Sequence, residues 1–402
     1  MILPSSLAWG ADHAAPRALR SGEPGSGPPA APENPATVSR TTSVRWSDVP
    51  GTFWARRAID YVAGTYRWMR DYGALDDGTY SFKPDRLENR RLLAKAVVMA
   101  FAPHTEVDPS ITFNDLPSDS PFYRYANVAV QNRWMRRTNG AFAPASPVST
   151  RAVHRVLVLA LGLREEAAGL GAIHTHDGRV FNTPSSFGAL LIGMRLGLRY
   201  NHSDESLDVG PDTLLTRAEV AWSLYQAKTL SEWQVDDMAP YADIELPNMR
   251  PGKFRFVQWG INYVGYPYVW GGEWRTRSPA GYPFGSQPVG GFDCSGLMWW
   301  SMKAAGSGWD NRPPRPYVGW SLPQRVSADM ATVGRVRYDD LVVGDLMFYD
   351  GDDDGRVDHV DANVGNGWSL DSGSSNAGVT ITYTGPGSWY QQHFVHGRNI
   401  MG

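Results

Sequence analysis

The sequence predicts an α+β protein in which a mostly α-helical repeat region precedes a C-terminal domain of helices packed on an antiparallel β meander. Three observations carry this. A helix-hairpin unit recurs across residues 45–227. Helical periodicity then stops over residues 230–250, where Pro240 and Pro247 fall. Beyond Gly344, short alternating runs are separated by glycine turns. A chain of 402 residues exceeds one ordinary core, and domains of about 100–150 residues each give two to four of them.

Composition narrows the function classes. The formal net charge of -3 points to neither a nucleic-acid partner nor a strongly basic membrane-surface protein. No run approaches the ~20 apolar residues that span a bilayer. The only cysteine, Cys294, leaves no partner for an intramolecular disulfide and no cysteine-rich zinc site. The first residues, MILPSSLAWGADHAAP, lack a basic segment before their apolar stretch and include Pro4, so they make a poor secretory signal.

Taken in order, residues 1–43 form a Pro/Gly-rich leader with little to bury, which reads as a disordered linker. The repeating unit follows. Trp46-Ser47-Asp48-Val49 is echoed by Phe113-Asn114-Asp115-Leu116 and more faintly by Phe181-Asn182-Thr183-Pro184. Each opener leads into a helical stretch, a glycine-containing turn and a second helix. The second helices start at Asn89-Arg90, Thr150-Arg151 and Thr216-Arg217, with the arginines spaced by 61 and 66 residues. Asn and Thr there cap free backbone N–H groups, and Ala, Val and Leu supply the apolar stripe.

On the aromatic-x-Asp openers, Phe82-Lys83-Pro84, Phe142-Ala143-Pro144 and Thr216-Arg217-Ala218-Glu219, the region resembles three S-layer homology repeats. Their boundaries are 44–104, 105–165 and a degenerate 166–240. The resemblance implies attachment to an anionic cell-wall polysaccharide, with Arg90, Arg151 and Arg217 near the glycan-binding grooves. The alternative for each arginine is a pairing with a neighbouring carboxylate.

The C-terminal domain is expected over 250–402. An amphipathic helix over 253–264 ends in Gly265-Tyr266-Pro267-Tyr268-Val269-Trp270-Gly271-Gly272, a glycine- and aromatic-rich loop. Gly291-Phe292-Asp293-Cys294-Ser295-Gly296 then opens a helix, so Cys294 sits at a helix N-terminus. There, free N–H groups and the positive end of the dipole favour a thiolate, the nucleophilic form. Strands are expected at 344–349, 357–364, 368–371 and 379–383. His359 and Asp371, 12 residues apart across a tight turn, can then meet as a base and its orienting carboxylate.

These motifs, in this order, resemble the NlpC-type peptidoglycan peptidases, a circularly permuted branch of the papain-like fold. The matching residues are Tyr268 to Gly272, Phe292 to Gly296, Gly344-Asp345-Leu346, and His359-Val360 followed by Val364-Gly365-Asn366-Gly367. The resemblance implies that Cys294 attacks the scissile carbonyl, His359 moves the proton and Asp371 orients the imidazole. The last position is usually His, Asn or Gln in that family. Tyr268 would lie near the sulfur, and Asp293 and Ser295 would contact the free amino end of a stem peptide. His393 and His396 are competing bases, but neither precedes a Val-Gly-Asn-Gly turn.

Trp299 and Trp300 are expected in the core, and Trp270 in a groove. No cofactor and no metal are implied. Asp350, Asp352 and Asp354 match the opening of an EF-hand calcium loop, with Asp361 at the twelfth position, yet strand-like flanks favour a solvated acidic hairpin. The reading that emerges is an extracellular, wall-anchored cysteine endopeptidase acting on peptidoglycan stem peptides. A catalytically weak wall-binding protein and an amidase or acyltransferase with the same nucleophile stand as alternatives.

Overall fold

The computed structural model describes residues 44–274, 290–307, 322–373 and 378–402. The leader and most of the 279–290 loop ahead of the nucleophile lie outside them. In chain order the helical region contains α1 (Arg56–Ile59), α2 (Arg90–Phe101), α3 (Tyr123–Gln131), α4 (Thr150–Ala160), α5 (Arg164–Gly171), α6 (Phe187–Arg195), α7 (Arg217–Thr229) and α8 (Glu232–Asp236). The C-terminal part adds α9 (Pro251–Tyr263), α10 (Cys294–Ser307), α11 (Ser327–Met330) and α12 (Trp389–Gln392). Two short pairs, β1 (His174–Thr175) with β2 (Glu245–Leu246) and β3 (Glu273–Trp274) with β4 (Gly291–Phe292), precede the main sheet. That sheet comprises β5 (Leu346–Tyr349), β6 (His359–Gly365), β7 (Trp368–Gly373), β8 (Gly378–Tyr383) and β9 (Phe394–Arg398).

The α+β expectation holds, with a helical region followed by an antiparallel sheet. Strand order is β8-β7-β6-β5-β9, every neighbour antiparallel. Four of these strands carry the alternation read from the sequence. The fifth, β9, was not legible, because Phe394–Arg398 is short and interrupted by Gly397; its place against β5 is fixed by pairing across residues 346–349. Trp299 and Trp300 are buried in the core, as expected.

The three helical units close on one another. The segments before α2, α4 and α7 form a ring of backbone bonds: Glu88 N–H to Leu215 O at 2.9 Å, Leu215 N–H to Val148 O at 2.9 Å, and Val148 N–H to Glu88 O at 3.1 Å. The openers gain a physical explanation here. Both Asp48 oxygens accept the N–H groups of Phe82 and Lys83, and those of Asp115 accept Phe142 and Ala143. Each aspartate thereby holds a residue at positive φ, Lys83 at 60° and Ala143 at 57°, a backbone state that L side chains adopt reluctantly. The third unit has no such aspartate, which is the structural content of its degeneracy.

The arginines of the second helices complete the ring, each reaching the turn of another unit. Arg90 donates to Phe142 O at 2.7 Å and lies over the Phe142 ring. Arg151 donates to Ser185 O at 2.7 Å and pairs with Asp212. Arg217 is fully buried: it donates to Phe82 O, pairs with Glu88 and Asp71 at 2.9 Å each, and stacks over Phe82. The glycan role expected of Arg217 is therefore replaced by a structural one. Its guanidinium has no exposed surface, because its two carboxylate partners are buried with it.

The helical region and the C-terminal domain share one apolar core. Phe181 stacks on Phe254 at 4.2 Å between ring centres, and Tyr241 packs edge-on against Trp368. Arg199 donates to Gly265 O at 2.6 Å. Gly265 is required there, since it has φ +96° and a Cβ would stand 2.4 Å from Leu190. The glycine- and aromatic-rich loop that begins at Gly265 is thus seated directly on the third helical unit.

Candidate active site

Asp293 caps α10: its Oδ1 accepts the Gly296 N–H, and its own carbonyl accepts Leu297 N–H. This cap sets the first turn, so Cys294 stands where backbone N–H groups point outward. A negative charge near such a terminus is stabilised by about 0.3–1 kcal/mol at exposed sites and up to ~2 when partly buried. Cys294 is 7% exposed, close to water but not surrounded by it.

Opposite it stands His359, the first residue of β6. Its Nε2 lies 2.9 Å from Asp371 Oδ1, and its ring is within hydrogen-bonding reach of Cys294. With Nε2 committed to the carboxylate, Nδ1 is left for the thiol. Burial alone would depress the imidazolium, but the Asp371 carboxylate and Cys294 outweigh it and hold the His359 pKa well above its ordinary value. Asp371 lies on β7, is fully buried, and takes a second bond from Tyr390 Oη at 3.1 Å. A buried charge needs such partners, because an unpaired one costs several kcal/mol.

The remaining expected positions fall as follows. Burial first, and then the negative charges of Cys294 and Asp293, raise the Tyr268 pKa, so its phenol stays a donor beside the sulfur. Trp270 is exposed at the rim. His393 bonds to Trp389 O and stacks on Trp389, while His396 bonds to Gly397 O and packs against Phe348. The acidic turn is capped by its own backbone, with Asp350 accepting the N–H groups of Asp354 and Gly355. Asp361, the twelfth calcium-loop position, points away from that turn and bonds to Tyr349. Asp350 and Asp352 instead approach Asp358.

Asp293 and Ser295 differ from expectation. Arg325 donates to Asp293 Oδ1 and Oδ2 at 3.1 and 3.2 Å, to Ser295 Oγ at 2.9 Å, and also to Glu273. Burial opposes the Arg325 charge, but Asp293 and Glu273 outweigh it. Both residues expected to meet a free amine are thus occupied by an internal cation. No local spacing announced this, since Arg325 lies 52 residues from Glu273 and 32 from Asp293. Glu205, also missed, comes from the helical region and accepts the Trp270 N–H at 3.0 Å, tying the loop ahead of Cys294 to that region.

Residues 265–398 match the NlpC/P60 family. The chain is 29% identical over 168 residues to the bifunctional muramidase/DL-endopeptidase CwlT of Bacillus subtilis, a match over 40% of this chain and 42% of that protein. It is 29% identical over 143 residues to the murein DD-endopeptidase MepH of Escherichia coli, over 35% of this chain and 43% of that one. The chain therefore spans less than half the length of either relative. Among solved structures, the peptidoglycan hydrolase RipB of Mycobacterium tuberculosis is 26% identical over 38% of this chain and 65% of that one, with a TM-score of 0.28. Residues 265–398 are accordingly an NlpC/P60 domain, carried behind an N-terminal helical region.

Proposed function

We propose that this chain is a cell-wall cysteine endopeptidase that hydrolyses amide bonds in peptidoglycan stem peptides. The observation that carries the reading is the alignment of Cys294, at a capped helix start, with the His359–Asp371 pair at 2.9 Å. His359 Nδ1 takes the Sγ proton, and the thiolate attacks the scissile carbonyl. The N–H groups at the start of α10 and the Tyr268 phenol lie where negative charge develops on the carbonyl oxygen. The imidazolium returns the proton to the leaving amine, and water then resolves the thioester by the same base. Asp371 keeps the imidazole turned toward the sulfur throughout.

The test is digestion of purified cell walls. Wild-type protein should release stem-peptide fragments, and Cys294→Ala should release none above background. Unaltered release by that variant would refute the mechanism. Mass analysis of products from defined muropeptides separates peptide-bond hydrolysis from amidase or acyl-transfer activity, because each leaves a different new terminus.

The three units at 44–104, 105–165 and 166–240 are read as S-layer-homology-like modules holding the enzyme, domain 250–402, at the bacterial surface. The support is a cavity of about 250 Å³ lined by Arg90, Arg136, Arg151 and Arg155 with no carboxylate among its lining residues. Burial first, and then Arg136, Arg164 and Arg90, lower the Arg155 pKa. An anionic sugar would relieve that crowding. We expect Arg155→Ala to weaken binding to extracted wall polysaccharide about fivefold or more in low salt, while hydrolysis of soluble muropeptides is unchanged. Cosedimentation at two ionic strengths checks this.

A further inference from the structure

The catalytic pair is not the whole of the buried charge at this site. Alternation along β6 puts His359 and Asp361 on the same face, and Asp361 is fully buried. Its neighbours on β5 are Met347, directly across, and Tyr349, which lies across from His359. On the other side the register Ala362↔Leu370, continued by one step, sets Asp361 across from Asp371. Two carboxyls thus stand side by side in a dry sheet, where like charges disfavour double ionisation.

The partners decide which of them keeps a proton. Asp371 has His359 at 2.9 Å and Tyr390 Oη at 3.1 Å. It also acts on Arg195 of α6, where burial opposes the guanidinium but Tyr241, Tyr390 and Asp371 outweigh it. Among the described residues the cation acting on Asp361 is His359, whose nitrogens serve Asp371 and Cys294. The hydrogen-bond partner of Asp361 is Tyr349 Oη, at 3.0 Å from Oδ1 and 3.1 Å from Oδ2. The Tyr349 phenol donates to Asp361 and favours its anion, but a single neutral donor stands against full burial and a neighbouring carboxylate.

We propose, on the reading of Cys294 and His359 as a nucleophile–base pair, that Asp361 is a proton-carrying positioning residue. It is neutral at neutral pH, so Asp371 is the one carboxylate of the two that acts with Cys294 on the charge of His359. On losing its proton in alkali it adds a second negative charge that keeps the imidazolium, and with it the thiolate pair, intact to higher pH. Burial first, then Asp371, push the Asp361 pKa up to about 8, against the opposing effect of His359.

The groups facing it are His359 on β6, Tyr349 on β5, Asp371 and Ser369 on β7, Tyr338 ahead of β5, and, through Asp371, Tyr390 of α12 and Arg195 of α6. Tyr349 itself stays protonated, its pKa raised by burial first and then by Asp361. The sign for stability follows. A carboxyl whose folded pKa is raised contributes stability that is present below its unfolded value near 3.9 and lost as pH rises through the folded value.

The test is the rate of Cys294 alkylation by iodoacetamide from pH 5 to 10, which needs no wall substrate. Its alkaline inflection marks proton loss from His359. In Asp361→Asn, which can never add the second charge, that inflection should fall by about half a pH unit or more. The variant's Tm should also decline less than the wild type's between pH 5 and 9, because the Asp361 share is gone while those of His359 and Glu88 remain. In Tyr349→Phe, which deprives the Asp361 anion of its donor, the Tm decline should extend to higher pH. Superimposable alkylation profiles of Asp361→Asn and wild type would overturn the proposal. If Asp361→Asn does not fold, an unshifted Tm decline in Tyr349→Phe overturns it instead. A Cys294 that shows no titration with His359 in the wild type would count against the pair itself, which is a different failure.

Discussion

Asp371→Ala should lower kcat/KM on a defined muropeptide by about a hundred- to ten-thousandfold, with most of the loss in kcat. The imidazole of His359 has two nitrogens and needs each pointed at a different partner. Asp371 fixes Nε2 at 2.9 Å, and Tyr390 fixes Asp371. Alanine leaves the ring free to turn and leaves Tyr390 Oη facing an empty space. Asp371→Asn separates geometry from charge. Its amide oxygen still accepts the Nε2–H bond, so activity should stay within about tenfold of wild type at neutral pH.

The asparagine variant should differ most in its pH dependence. The Asp371 carboxylate is the first of the influences that hold the His359 pKa up against burial. Without that charge the imidazolium is lost at lower pH, and the alkaline limb of kcat/KM moves down. Stability should respond with the matching sign. A histidine whose folded pKa is raised contributes stability fully present below its unfolded value near 6.5 and lost as pH rises through the folded one. The stability gap between wild type and Asp371→Asn should therefore be widest in mild acid and close in alkali. Denaturant titrations at pH 6 and pH 9 would read it.

Arg217→Ala should destabilise the helical region by about 3–5 kcal/mol, the range for breaking a buried pair by removing one member. The guanidinium ties three stretches of chain together: Met69 to Asp71, Phe82 and Glu88. Its loss leaves Glu88 buried without its paired cation, while Asp71 keeps Lys95 at 2.7 Å. Burial already raises the Glu88 pKa to about 7, with Arg217 the largest opposing influence. Without Arg217 that value climbs further, and Glu88 folds as the neutral acid. Stability linked to a raised carboxyl pKa is present in acid and lost as pH rises through it, so the deficit should be smaller at pH 5 than at pH 8. Arg151→Ala, with its partner Asp212 exposed, should cost under about 1 kcal/mol. Equal losses in the two variants would contradict the structural assignment of Arg217.

Much of the catalytic arrangement was readable because it is local. Asp293, Cys294 and Gly296 lie within one helical turn, and the cap that positions the sulfur is a bond between residues three apart. His359 and Asp371 stand on strands joined by a short turn, so the hairpin register brings them together with little freedom. The aromatic-x-Asp openers likewise bind the turns that follow them in the same unit. In each case the chain between the partners is short or regular, and pattern alone limits where the side chains can go.

Other features depended on which surfaces meet. Arg90, Arg151 and Arg217 occupy matching places in their units, yet only Arg217 finds two buried carboxylates, 129 and 146 residues earlier in the chain. Arg325 neutralises Asp293 across a separation that no periodicity encodes. Glu205 reaches Trp270 only because Gly265 lets the glycine- and aromatic-rich loop lie against the third helical unit. The sequence by itself determined the helix-start position of Cys294, the meeting of His359 with Asp371 and the helical and strand periods, since these follow from spacing along the chain. The tertiary structure decided which charges are spent on holding the protein together and which remain for a ligand, because burial and pairing are properties of packed surfaces.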